Sequence, residues 1–214
     1  GIDAAHFYTI EGKYTVKLFG ITVNGCPDST MYVDTIKIFN LPHCSIAGDS
    51  IHCSPGSYPY ASVVSSVDNI VKYQWYVDGV ASSNASNLLY NFNSGNHVVS
   101  LKVTTVNGCT DSVFKNIIVD SVKVAFSINQ RKFCGDTAMV LFTGLAASRF
   151  NVVKYEWFFG DNPVSSLKNP VHTYQQAGIY DVKLVATSQH GCNNTHLKPG
   201  CIEITNNPLT SFQC

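Results

Sequence analysis

Charge is scarce and balanced in this 214-residue chain: 14 Lys plus Arg face 14 Asp plus Glu, and charged residues make up only 13% of it. A surface with no basic excess has no field to steer a nucleic acid or an acidic lipid toward it, so no nucleic-acid partner is expected. No apolar stretch approaches the length of a membrane span, which argues against direct membrane insertion. Residues Gly1 to Ile10 lack the basic start and apolar run of a signal peptide, so any export signal is expected outside this stretch. There is no Cys-x-x-Cys pair, and no cysteine has a histidine at zinc-finger spacing. The histidines (His6, His43, His52, His97, His172, His190 and His196) are scattered without the spacing a metal site needs, so no cofactor or metal is expected. Nucleophile elbow, phosphate loop and dinucleotide fingerprint are all missing, and no cysteine has the company of a thiol nucleophile. No enzyme is expected.

What remains is a chain that is 45% hydrophobic, with runs dominated by Val, Ile, Thr, Ser, Tyr and Phe. These residues suit half-buried pleated strands, so the fold class reads as all-β. Eight cysteines in such a chain point to disulfides and an oxidising compartment.

One phrase occurs three times, as Asn24-Gly25-Cys26, Asn107-Gly108-Cys109 and His190-Gly191-Cys192, with 83 residues between successive cysteines. Cys53, Cys134 and Cys214 form a second series at separations of 81 and 80, and Trp75 and Trp157 lie 82 apart. A period near 80 residues fits one small β-sandwich per repeat, strung as beads. Phasing these landmarks gives the end of a cut bead over 1–40, whole beads over 41–122 and 123–206, and the start of another over 207–214.

Within the third stretch, Val124, Phe126 and Ile128 alternate as a first strand, and Met139 and Leu141 lie among the apolar residues of a second. Tyr155, Trp157 and Phe159 share one face of a third strand, where Trp157, like Trp75 before it, is expected to plug the space between two sheets. The turn Gly160-Asp161-Asn162 uses residue types that tolerate positive φ. Asp161 has no matching second acid, so it reads as a turn residue rather than a catalytic carboxylate. Tyr180, Val182 and Leu184 fall on one face, with Tyr180 placed to act as a tyrosine corner.

This order resembles the PKD family of immunoglobulin-like domains, whose hallmark is Trp-x-Phe-Gly-Asp-Gly followed by a Gly-x-Tyr-x-Val-x-Leu strand. Trp157-Phe158-Phe159-Gly160-Asp161 matches all but the last glycine, which is Asn162 here. The middle stretch departs further, with Trp75-Tyr76-Val77-Asp78-Gly79 and His97-Val98-Val99-Ser100-Leu101 at the corresponding places. The first keeps Gly12-Lys13-Tyr14-Thr15-Val16-Lys17-Leu18, which makes Tyr14 the counterpart of Tyr180. The resemblance implies tandem immunoglobulin-like, PKD-type antiparallel β-sandwiches. The Gly-Cys turns are similar to those of Bacteroidota surface proteins, especially long adhesins exported by type IX secretion in gliding bacteria.

Six aspartates precede a hydroxyl residue in a shared pattern: Asp28-Ser29-Thr30, Asp34-Thr35-Ile36, Asp49-Ser50-Ile51, Asp111-Ser112-Val113, Asp120-Ser121-Val122 and Asp136-Thr137-Ala138. The triplet resembles the O-glycosylation acceptor of exported Bacteroidota proteins, which makes Ser29, Thr35, Ser50, Ser112, Ser121 and Thr137 candidate sites. The alternative is that Asp-Ser and Asp-Thr are good turn and strand-start pairs.

For the cysteines, the obvious pairs are Cys53–Cys109 and Cys134–Cys192, each within one bead. An immunoglobulin-like sandwich puts Cys53 and Cys134 at the pole where the chain leaves, and Cys26, Cys109 and Cys192 at the pole where it enters. Strands of eight to ten residues separate those poles by roughly 25 to 30 Å, whereas a disulfide needs Cα atoms within about 7 Å. Stacked beads would instead let Cys53 meet Cys192 of the next bead, with Cys134 and Cys214 awaiting partners elsewhere. A bulge or displaced first strand would restore the pair within a bead. Cys44 is a local candidate for Cys109, and Cys201 has no evident partner.

The expected role is a stalk or filament segment of a long cell-surface adhesin, extracellular and associated with the outer membrane, used in surface attachment or gliding motility. Its partners would be neighbouring repeats of the same chain, surface polysaccharide or other cell-surface proteins. The alternative is a spacer or carbohydrate-binding accessory region of a secreted hydrolase.

Overall fold

The computed structural model describes residues 3–206; the side chains of residues 34 and 35 are excepted. The 207–214 stretch, with Cys214, lies outside the described residues. Every regular element among them is a β-strand. In chain order they are β1 (Gly12–Ile21), β2 (Pro27–Ile38), β3 (His43–Ala47), β4 (Ile51–His52), β5 (Gly56–Ser65), β6 (Ile70–Val77), β7 (Val80–Ser83), β8 (Asn87–Phe92), β9 (Gly95–Thr105) and β10 (Thr110–Val119). The second set is β11 (Val122–Ile128), β12 (Lys132–Cys134), β13 (Ala138–Ser148), β14 (Val152–Phe158), β15 (Val164–Ser165), β16 (Val171–Tyr174), β17 (Gly178–Ser188) and β18 (Asn193–Thr205).

The sheets repeat the sequence period. Strand order β3-β5-β8 recurs as β11-β13-β16, and β4-β10-β9-β6-β7 recurs as β12-β18-β17-β14-β15. Strands β1 and β2 form a lone hairpin at the place that β9 and β10, or β17 and β18, hold in the order. Most pairs are antiparallel, as expected of alternating strands with short turns. The exceptions are β4 with β10 and β12 with β18, which run parallel.

The chain divides into two compact units. The first comprises 1–48, 59–88 and 98–115, and buries Cys44, Tyr60, Trp75, Val77, Leu88, Val99, Leu101 and Val103. The second comprises 49–58, 89–97 and 116–214. Its core packs Phe126, Val140, Phe142, Trp157, Phe159, Tyr174, Val182, Leu184, Ile202 and Ile204 together. Trp75 and Trp157 are both fully buried. Each indole N–H, which burial would otherwise strand, donates to a carbonyl ten residues on: Ala85 at 3.0 Å and Leu167 at 2.9 Å. Around Trp157, the rings of Phe126 and Phe142 lie 5.2 and 5.3 Å away.

On β13 the inward side chains are Ala138, Val140, Phe142 and Gly144, whereas Met139 and Leu141 face out at 61% and 47% exposure. Gly144 explains the choice of face, since a Cβ there would sit 2.7 Å from the Lys168 carbonyl oxygen.

The two hairpin turns differ in length and in chemistry. Between β6 and β7, Asp78 and Gly79 take φ of 51° and 80°, the left-handed pair that a two-residue hairpin of matching twist requires. After Trp157, Gly160 and Asn162 take φ of 93° and 82°.

Candidate functional site: the cysteine joint

Within the second unit, Cys53 and Cys192 form a disulfide, with Cα atoms 5.1 Å apart and 139 residues between them. Two local structures bring them together. Ile51 and His52 pair in parallel with Ile118 and Val119, which carries Cys53 along the last strand of its repeat to the end where the chain leaves. The links are Ile118 N–H to the Ser50 carbonyl and Asp120 N–H to the His52 carbonyl, each 2.8 Å. Cys192 closes the turn after β17, where Ser188 N–H donates to its carbonyl at 2.8 Å and Gly191 adopts φ of 82°. Cys192 is buried against Val122 and Ala186.

Polar groups tie the same region. β10 and β11 are separated by two residues, Asp120 and Ser121. Ser148 Oγ donates to Asp120 Oδ1 at 2.6 Å, Ser121 Oγ and Ser94 Oγ are 2.9 Å apart, and Arg149 Nη1 donates to the Ser94 carbonyl at 3.1 Å. Asp120 is fully buried, and its Oδ2, like Ser188 Oγ, has no hydrogen-bond partner among the described residues. The His52 ring stacks on Tyr58 at 3.5 Å, and burial lowers the His52 pKa while Asp49 opposes the shift.

The other described cysteines are thiols. Neither pair within one bead, Cys53–Cys109 or Cys134–Cys192, is formed. Nor does Cys44 bridge to Cys109. Cys44 is instead engaged by Asp111, whose Oδ2 accepts from its backbone N–H at 2.8 Å; burial and that carboxylate push the thiol up to about 11. Cys201 is buried in the core, which raises its pKa. Cys26 and Cys134 are exposed and Cys109 is half-buried.

Of the hydroxyl candidates, Ser29, Ser50, Ser112 and Thr137 are exposed. Ser121 is half-buried in its contact with Ser94, and the Thr35 side chain lies outside the described residues. Ser29 and Ser112 occupy equivalent places, each N–H held at 2.8 Å by the preceding aspartate. That local bond gives the triplet a structural use.

Tyr180 Oη donates to the Gln176 carbonyl at 2.8 Å, and Tyr14 Oη to that of Ile10 at 2.6 Å, both four residues upstream. Two arrangements escape the sequence reading. His97 Nε2 lies 2.9 Å from the Asn93 carbonyl, so Gly95-Asn96-His97 repeats the corner with imidazole in place of phenol. Asp161 does not stand alone in its turn, since His172 Nε2 meets both its oxygens at 2.8 and 3.1 Å and stacks flat on Phe159 at 4.2 Å. A shared spacing could have revealed the first, because Gly95 falls 83 residues from both Gly12 and Gly178.

Comparisons with known proteins agree with this architecture. Residues 125–198 match the PKD domain family. The three N-terminal domains of the highly immunogenic outer capsid protein of bacteriophage RB49 are similar at 11% identity and a TM-score of 0.52, over 95% of this chain and 91% of that one. That likeness shows the fold alone. Fibronectin(III)-like modules of Clostridium thermocellum CbhA match at 8% identity and a TM-score of 0.43, over 80% of this chain and 99% of theirs. The PKD1 domain of the Vibrio cholerae metalloprotease PrtV matches at 26% identity and a TM-score of 0.33, over 38% of this chain and 94% of its own. The architecture is all-β and immunoglobulin-like, and its 125–198 stretch is similar to the PKD domain family.

Proposed function

We propose that this chain is a structural segment of an extracellular stalk or filament, built of sandwich repeats over 41–122 and 123–206, with 1–40 the end of one further repeat and 207–214 the start of another. The observation that carries the reading is the Cys53–Cys192 disulfide, which joins the chain-leaving end of one repeat to the Gly-Cys turn of the next. A covalent tie at that place limits swivelling about a two-residue connection and holds when the chain is pulled. Disulfides also persist only in oxidising surroundings, which supports a location outside the cell.

The parent protein on this reading is a long adhesin of an outer-membrane surface, of the type IX secretion and gliding-motility class, whose ligand contacts lie outside this segment. Glycans on Ser29, Ser50, Ser112 and Thr137 would add protection against proteolysis, and their exposed positions support that assignment. The reading assigns no catalysis. It also gives the two tryptophans no part in binding polysaccharide, because a ring with no exposed face cannot stack on a sugar.

Replacing residues 41–206 in the host protein with unrelated sandwich repeats of equal length tests the role. A stalk predicts that attachment of intact cells survives the replacement and that antibodies to 41–206 label the wild-type cell surface. Loss of attachment with surface display intact would instead place ligand binding in this segment.

A further inference from the structure

The three Gly-Cys turns are built alike. Thr22 N–H donates to the Cys26 carbonyl at 3.0 Å, Thr105 N–H to that of Cys109 at 2.9 Å, and Ser188 N–H to that of Cys192 at 2.8 Å. Their glycines take φ of 76°, 84° and 82°. Only the third turn holds a disulfide. The strands that lead to the opposite sulfur are also alike. Cys53 follows β4, which runs parallel to β10, and Cys134 ends β12, which runs parallel to β18 with Cys134 beside Thr205. In the one, Ile118 N–H donates to the Ser50 carbonyl; in the other, Glu203 N–H donates to that of Arg131. Cys134 is an exposed thiol.

We infer that Cys53–Cys192 is one link of a repeating series, in which Cys134, Cys109 and Cys26 are open positions. Cys134 takes the Gly-Cys cysteine of a sandwich that follows, and Cys109 takes the chain-leaving cysteine of a sandwich that precedes. On this inference each partner lies at a separation near the 139 residues of the observed link. This rests on the stalk reading. It adds that each thiol has a defined partner chemistry: the second sulfur of the same joint, on a sandwich of the same build. Each link forms when two thiols pass two electrons and two protons to a disulfide oxidant, such as oxidised glutathione or an exported disulfide oxidoreductase, which leaves as two thiols.

The test joins residues 1–206 to a second copy of 41–206, so that Cys134 of the first copy is followed by the Cys109 turn of the second. Cys26→Ser, Cys109→Ser in the first copy and Cys134→Ser in the second leave one possible Cys134–Cys109 pair. After equilibration with reduced and oxidised glutathione, peptides are mapped without reduction. A near-stoichiometric Cys134–Cys109 peptide alongside Cys53–Cys192 is the expected result. Cys53–Cys192 present with Cys134 still a thiol, or with Cys134 as a glutathione adduct, overturns the series but leaves the stalk. Absence of Cys53–Cys192 overturns the joint, and with it both readings.

Discussion

His97 Nε2 sits 2.9 Å from the carbonyl oxygen of Asn93, four residues upstream, in the arrangement that Tyr180 makes with Gln176. The His97 ring also meets Phe92 edge-on at 5.2 Å. A single hydrogen bond of this kind contributes about 1 kcal/mol net. Tyr180→Phe is therefore expected to lower stability by about 1 kcal/mol, and His97→Tyr to retain more stability than His97→Ala. Urea midpoints for the three variants check the order.

Trp157 should be the most costly single truncation in the second unit. It is fully buried, touches Phe126 and Phe142, and donates to Leu167. Trp157→Ala is expected to cost about 3–5 kcal/mol from lost transfer and the cavity left behind. Trp157→Phe should cost less but still leave the Leu167 carbonyl without its donor. Calorimetric unfolding measures both.

Two titrations give stability a pH dependence with a defined sign. Burial lowers the His52 pKa below 6.5, so the unfolded chain takes up its proton first. Stability from this group is present above that value and is lost as pH falls through the lower folded value. The Cys44 backbone N–H, together with the thiol, Ser112 N–H and His43, holds the Asp111 pKa below 3.8. Its contribution is likewise present above 3.8 and is lost on further acidification. His52→Gln should flatten the profile near neutrality, and Asp111→Asn should flatten the acid limb. Urea midpoints between about pH 3 and 8 would show both changes.

The strand alternation, the sandwich class and the places of both tryptophans were legible because each rests on local pattern: period two, large aromatics and turn glycines. The parallel strands were not, because β4 and β12 span two and three residues and carry no periodicity. The facing of β13 was not legible either, because the large Met139 and Leu141 turn outward while Ala138 and Gly144 lie inward, and a Cβ at Gly144 would meet the Lys168 carbonyl oxygen. The His172–Asp161 pair was hidden because its members are eleven residues apart, one in a turn and one on β16. Cysteine pairing was approachable only through the geometry of the two poles, since spacing alone favours pairs within one bead.

Thiol chemistry should divide the free cysteines. Cys44, pushed up to about 11, and Cys201, raised by burial, hold little thiolate and little access. Cys26 and Cys134 are exposed. Brief alkylation of the folded protein at about pH 8 should modify Cys26 and Cys134 and spare Cys44 and Cys201 until urea is added. Equal labelling of all four in the folded protein would contradict the burial of the latter pair.

Stretching the chain from its two ends tests the central claim most directly, because a disulfide removes the residues it encloses from the extensible length. With Cys53 joined to Cys192, 139 residues stay shielded until reduction. At about 3.6 Å per extended residue, reduction should lengthen the unfolded chain by about 500 Å. A gain of that size supports a stalk clamped from one repeat to the next. No gain, or one of only about 200 Å as a Cys53–Cys109 bond would give at the same rise per residue, would contradict it.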